Sequence, residues 1–238
     1  MLLVLGAIGA VLALALEFFV GRQEALGDGP GLPVYTLDQT ASTHAGFRRT
    51  TLARGNDIYV SDYEDAALRL VTSEPKPAIG RYVIGTGYVC AIPGQPTTAY
   101  IAGDVGSEMP AYEPFRNIKK LPFDWRTATF RKMTASKQYK FGPLVTTTNA
   151  ALMAEVVRVL REGTPVELNP FPFSGATNLT TLNLTCDQLP GMLFCPALCY
   201  YSDGNIYLAQ SLMPDLSVTP PQVRARWFPA SPLLTEWL

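Results

Sequence analysis

Histidine is almost missing from this sequence: His44 is the one copy in 238 residues. A Ser-His-Asp or Cys-His catalytic unit would have to use it. It sits in Ala41-Ser42-Thr43-His44-Ala45-Gly46, a polar loop pattern, and no Gly-x-Ser-x-Gly elbow accompanies it. The sequence also has no phosphate-binding glycine loop and no His-Glu-x-x-His pair. Gly85 and Gly87 form a Gly-x-Gly, but inside a strand-like run with no helix behind it, which is not a dinucleotide fingerprint. Charge is scarce too, at 16% of residues, against about a quarter in typical chains. A net charge of −1 excludes a bulk nucleic-acid binder. No catalytic, cofactor-binding or metal-ligating residue is assigned.

Cysteine is limited to Cys90, Cys186, Cys195 and Cys199. The Cys-x8-Cys-x3-Cys run is not a zinc spacing, and no Cys-x-x-Cys-His supports haem attachment. An even count beyond an export-type anchor makes the four candidates for one or two disulfides; free buried thiols are the other reading. The disulfide reading places the domain on the periplasmic or lumenal side.

What the sequence has in quantity comes first in the chain. Met1 to Val20, MLLVLGAIGAVLALALEFFV, contains no Lys, Arg or Pro and one acid, Glu17. A helix needs about 20 apolar residues to cross a bilayer core, and this run is long enough. Gly6 with Ala10, and Gly9 with Ala13, are small-xxx-small pairs that let another helix approach closely. Ala13-Leu14-Ala15 resembles a signal-peptide cleavage site, but no basic n-region precedes it. The expectation is an uncleaved transmembrane anchor over 1–21 and a Gly/Pro linker over 22–33.

Residues 34–238 read as a β-rich extrinsic domain with a candidate sub-boundary within 103–125. Short β-branched and aromatic runs recur near Val34–Asp38, Phe47–Ala53, Asp57–Ser61 and Ala66–Thr72. Ile79 to Ala91 predicts one long strand with Tyr82, Ile84, Thr86 and Tyr88 on one face. Thr97–Ala102 would be its partner, and Gly103–Pro122 a long loop. Asn149 to Glu162 is the one convincing helix, capped by Asn149 and stopped at Gly163, with Leu152, Val156, Val159 and Leu160 on its apolar face. Strands resume at Pro165 (PVEL) and over Asn178–Leu184. A hairpin is predicted between Met192–Tyr201 and Asn205–Gln210 around Ser202-Asp203-Gly204. VRARWF, Val223 to Phe228, reads as a last strand. The fold class is therefore mainly β, sandwich-like or barrel-like, with one covering helix and the N-terminal transmembrane helix.

Two surface features stand out. Arg116, Lys119, Lys120, Arg126, Arg131 and Lys132 face the single acid Asp124, with Trp125 interleaved. That pattern suits anionic headgroups beside an anchor, or an acidic partner. The tail carries Leu233, Leu234 and Trp237, apolar residues that need a docking surface. Asp57, Asp62, Glu64 and Asp65 cluster without EF-hand spacing and read as a solvated turn.

The reading these features favour is a non-catalytic, single-pass accessory subunit of a multi-subunit membrane complex, its partners other membrane subunits and the bilayer. A second reading is a membrane-tethered hydrolase using Asp62, Glu64, Asp104 or Glu108. A third is a surface or virion glycoprotein, suggested by the sequons Asn178-Leu179-Thr180 and Asn183-Leu184-Thr185.

Overall fold

In the computed structural model the chain is described over residues 32–41, 48–61, 65–73, 75, 77–82, 87–105, 112–136, 144–166, 176–201, 204–210, 214–215, 222–223 and 226–238. The anchor, with Gly6, Gly9, Ala10 and Ala13, and nearly all of the linker lie outside these residues. No helix among the described residues is long and apolar enough to cross a membrane.

The first half closes into a barrel. Its strands are β1 (Val34–Ala41), β2 (Arg48–Arg54) and β3 (Asp57–Ser61). The chain then steps out to form β4 (Leu68–Leu70) and returns as β5 (Ala78–Tyr82), β6 (Tyr88–Ala91), β7 (Tyr100–Asp104) and β8 (Tyr112–Asn117). The order around the barrel is β1-β2-β3-β8-β7-β6-β5, closed by a parallel pairing of β5 with β1. The closing pairs are Val34 with Arg81 and Tyr35 with Tyr82.

The barrel interior follows from the two-residue period of a strand. Each of the seven strands sends one residue inward: Tyr35, Leu52, Tyr59, Tyr82, Val89, Ile101 and Phe115. Register brings Tyr35 opposite Tyr82, Leu52 opposite Tyr59 and Ile101 opposite Phe115. Gly103 makes room for them. A Cβ there would lie 2.7 Å from Leu52 Cδ1, 2.7 Å from Phe115 Cε2 and 2.9 Å from the Tyr82 hydroxyl.

The second half builds two further sheets. β9 (Phe130–Ser136), β10 (Leu144–Thr147), β12 (Asn183–Cys186) and β13 (Met192–Phe194) join β4 in the order β10-β9-β12-β13-β4. β11 (Ala176–Thr181), β14 (Ala197–Tyr201), β15 (Ile206–Ala209) and β18 (Phe228–Pro229) form the other sheet. β16 (Pro214–Asp215) and β17 (Gln222–Val223) pair separately. Helix α1 (Ala150–Glu162) packs on β9, β15 and β18, and α2 (Pro232–Trp237) packs on α1. Asn149 caps α1, its side chain accepting from the Ala151 amide at 2.9 Å. The Gly163 amide donates to Val159 O at 3.0 Å. Leu152, Met153, Val156, Val157, Val159 and Leu160 enter the large core.

Several expectations are corrected. Ile79–Ala91 is two antiparallel strands, β5 and β6, and Tyr82 and Tyr88 enter different cores. A Cβ on Gly87 would meet the Tyr82 ring at 2.5 Å, so the fold back past Tyr82 needs glycine there. The stretch read as loop after Gly103 contains β8, because Phe115 is needed to complete the barrel. The long arm Met192–Tyr201 breaks at Cys195-Pro196 into β13 and β14, which lie in different sheets. The hairpin of β14 and β15 stands, and Gly204 occupies its turn at φ +86°. Val166 contributes only an isolated bridge to Trp227. The tail is α2, started by Ser231 and Pro232.

The disulfides are absent. Cys90, Cys186, Cys195 and Cys199 are all free and buried. Cys90 and Cys186 pack in the large core, while Cys199 packs beside Trp227 in a separate cluster. The Cys195 thiol donates to Asn183 Oδ1 at 3.2 Å. Burial pushes the Cys195 thiol up to about 12, and Cys90 and Cys199 up to about 11.

Core packing and thiol burial each have an expected outcome. Gly103→Ala lowers unfolding stability by roughly 1–3 kcal/mol through overpacking; a urea melt of the variant checks this. The thiols of the native chain alkylate at pH 8 about a hundredfold more slowly than those of the denatured chain. Denaturation without reductant exposes four reactive thiols by mass spectrometry, not two or none. The fold tolerates the neutral thiol, so stability falls as pH rises above the ordinary thiol value of 9.0, where the unfolded chain ionises first.

Candidate functional site

The segment from Arg116 to Lys132 contains both buried supports and exposed cations. Arg116 is 7% exposed and Asp65 3%. The Arg116 Nε donates to Asp65 Oδ1 at 2.9 Å and to Oδ2 at 3.2 Å, and Nη1 donates to Lys120 O at 2.5 Å. Removing two charges from water is costly, so the pair requires this geometry and the extra carbonyl acceptor. Tyr100 adjoins it. Burial pushes the Tyr100 phenol up to about 12, with the Asp65 charge adding to the rise and Arg116 opposing it.

This anchor rigidifies a turn. The Lys119 amide donates to Asn117 Oδ1 at 2.9 Å, and the Lys120 amide to Asn117 O at 2.8 Å. The Ile118 amide donates back to Ile58 O at 2.9 Å. Asn117 itself is buried. The turn presents Leu121 at 88% exposure and Ile118 at 46%, with Lys119 and Lys120 exposed between them. Among the described residues no carboxylate lies within ion-pair reach of either lysine.

The next stretch is pinned by aromatics. Trp125 is buried and stacks on Phe194, ring centroids 5.6 Å apart and planes 11° apart. Phe130 stacks on the same ring at 5.6 Å. Arg126 lies over the outer face of Trp125, 4.7 Å from its centroid. Asp124 closes the turn by accepting from the Arg126 amide at 3.2 Å. Arg131 pairs with Asp187 on the surface, and Lys132 is exposed.

The basic segment therefore divides. Arg116 and Trp125 are not contact residues: both are buried and hold the segment to the barrel and to β13. Lys119, Lys120, Arg126, Arg131 and Lys132 form the exposed set. Ile118 and Leu121 belong with them, and the sequence reading passed over them. The signal was there in Ile118-Lys119-Lys120-Leu121, two bulky apolar residues bracketing two cations before Pro122.

The remaining candidates fall elsewhere. Leu234 is fully buried and Trp237 packs partly against the large core, so the tail docks on its own domain; Leu233 stays 46% exposed. Asp65 is committed to Arg116 and is not part of a solvated turn. His44, Asp62, Glu64 and Glu108 lie outside the described residues. Among the described residues no group of three or more His, Cys, Asp or Glu could hold a metal ion. Asn183, in the second sequon, lies in β12 between β9 and β13 and accepts from Cys195. The phenol of Tyr82, aimed into the barrel beside Gly103, has no hydrogen-bond partner among the described residues, and burial raises its pKa. No known protein family, no curated protein and no solved structure matches the chain.

Arg116→Met leaves Asp65 buried without a counter-charge. The expected loss is about 3–5 kcal/mol of unfolding stability. Combining it with Asp65→Leu recovers more than half of that loss in urea melts. Hydrogen exchange at the Lys119 and Lys120 amides accelerates in both variants, because the Lys120 carbonyl has lost its donor.

Proposed function

We propose that the chain is a non-catalytic, single-pass accessory subunit of a multi-subunit membrane protein complex. Residues 1–21 pack among other membrane helices, and the β-rich domain lies against partner subunits at the bilayer surface. The observation that carries this reading is the turn from Asn117 to Pro122. Its backbone is fixed by a buried ion pair and a buried asparagine, yet it exposes Leu121 and Ile118 beside two lysines. A rigid, apolar-tipped, cationic turn gains nothing from solvent exposure. It fits a contact in which the two apolar side chains are covered while the lysines meet acidic groups or lipid headgroups. The apolar run at the start of the chain supports the same setting.

Mild-detergent purification of the tagged full chain, with mass spectrometry of what accompanies it, tests the proposal. A stoichiometric set of membrane proteins is expected. A stable chain purifying alone overturns the reading. Covering a leucine contributes about 1.5–3 kcal/mol, so Leu121→Glu should cut retention of the partners roughly tenfold or more with the domain's thermal melt unchanged.

A further inference from the structure

A groove of about 340 Å³ runs between the segment after Trp125 and α1. It is separate from the turn at Leu121. Its apolar lining is Phe130, Met153 and Val157, all drawn from the large core. Ala128, Ala150 and Ala154 also line it, and their small side chains leave it open. Three arginines line it as well: Arg126, Arg158 and Arg161. No acid lines it, and Thr129 is its one uncharged polar residue.

We infer that this groove binds a single-chain anionic amphiphile, a fatty acid, with its carboxylate at the arginines and its chain along Phe130, Met153 and Val157. Each arginine already has an acidic neighbour. Arg126 lies 3.5 Å from Asp124, Arg158 makes a two-bond fork with Glu155, and Arg161 pairs with Glu162. Those three acids do not line the groove. Ser231 also hydrogen-bonds the Glu155 carboxylate, which is held down to about 2 chiefly by Arg158. A guanidinium carries five N–H donors and a forked carboxylate uses two, so donors remain for a second anion. The local charge balances, so there is little long-range pull; the carboxylate and the chain must both contribute. An extended peptide fits poorly, because one threonine cannot satisfy its backbone groups. The space, about 340 Å³, takes the head and the first part of an acyl chain, with the rest projecting from the open side.

The test is photolabelling of the full chain in phosphatidylcholine nanodiscs with a diazirine-bearing palmitate, followed by peptide mapping. Adducts are expected within 126–130 and 150–161. Ala154→Leu fills the groove from an exposed position and should cut those adducts about fivefold or more, a change of roughly 1 kcal/mol in binding. Arg126→Gln with Arg161→Gln, both surface changes, should cut them comparably, and serves if the leucine variant melts early. The same diazirine chain ending in an alcohol should label these peptides weakly. Equal labelling by the alcohol, insensitivity to Ala154→Leu, adducts confined to other segments, or full protection by acetate alone would each overturn the inference. None of these outcomes depends on which proteins co-purify with the chain.

Discussion

Strands β6 and β7 are buried on both faces, and the rest of the molecule depends on that shared wall. Val89 and Ile101 point into the barrel. Tyr88, Cys90, Tyr100 and Ala102, their neighbours in sequence, point outward into the large core with α1 and the second sheet. A strand with one wet face would carry polar residues at alternate positions; these cannot. The barrel and the second half are thus two sides of one packed layer. Gly103 belongs to the same constraint, since β7 can approach Leu52, Phe115 and Tyr82 only where a side chain is missing.

The Arg116–Asp65 pair stabilises the same junction by electrostatics. Asp65 lies just ahead of β4, where the chain leaves the barrel for the second sheet, and Arg116 lies on β8 at the barrel wall. The third bond of Arg116, to the Lys120 carbonyl, extends this rigidity to the surface. One buried cation thereby positions a turn whose own side chains are exposed. Trp125, stacked on Phe194 of β13, does the same for the stretch that follows. The candidate contact surface is rigid because its supports are interior residues, and that preorganisation lowers the entropy cost of binding.

Local signals held at the helix and at one hairpin. The helix was legible because its cap, its apolar stripe and its glycine stop all sit within fifteen consecutive residues, 149–163. The β14–β15 hairpin was legible because Gly204 must adopt a positive φ there. The surface set was legible only in part. Composition marked the segment as basic and aromatic, but it could not separate Arg116 and Trp125 from the exposed cations. That separation rests on Asp65, which is 51 positions away from Arg116, and on Phe194, which a different sheet supplies.

By itself the sequence determined a β-rich chain with one amphipathic helix, a tight hairpin, an apolar opening run and a basic stretch. Each of these depends on residues within a few positions of one another, where propensity and periodicity act directly. The tertiary structure decided the rest. It divided Ile79–Ala91 between two strands and two cores, and made β8 a barrel strand instead of a loop. It left the four thiols free and buried, and it docked the tail helix at home. In each case the deciding contact joins residues remote in the chain. A stretch such as YEPFRN becomes a strand because the barrel has a gap that its Phe115 fills.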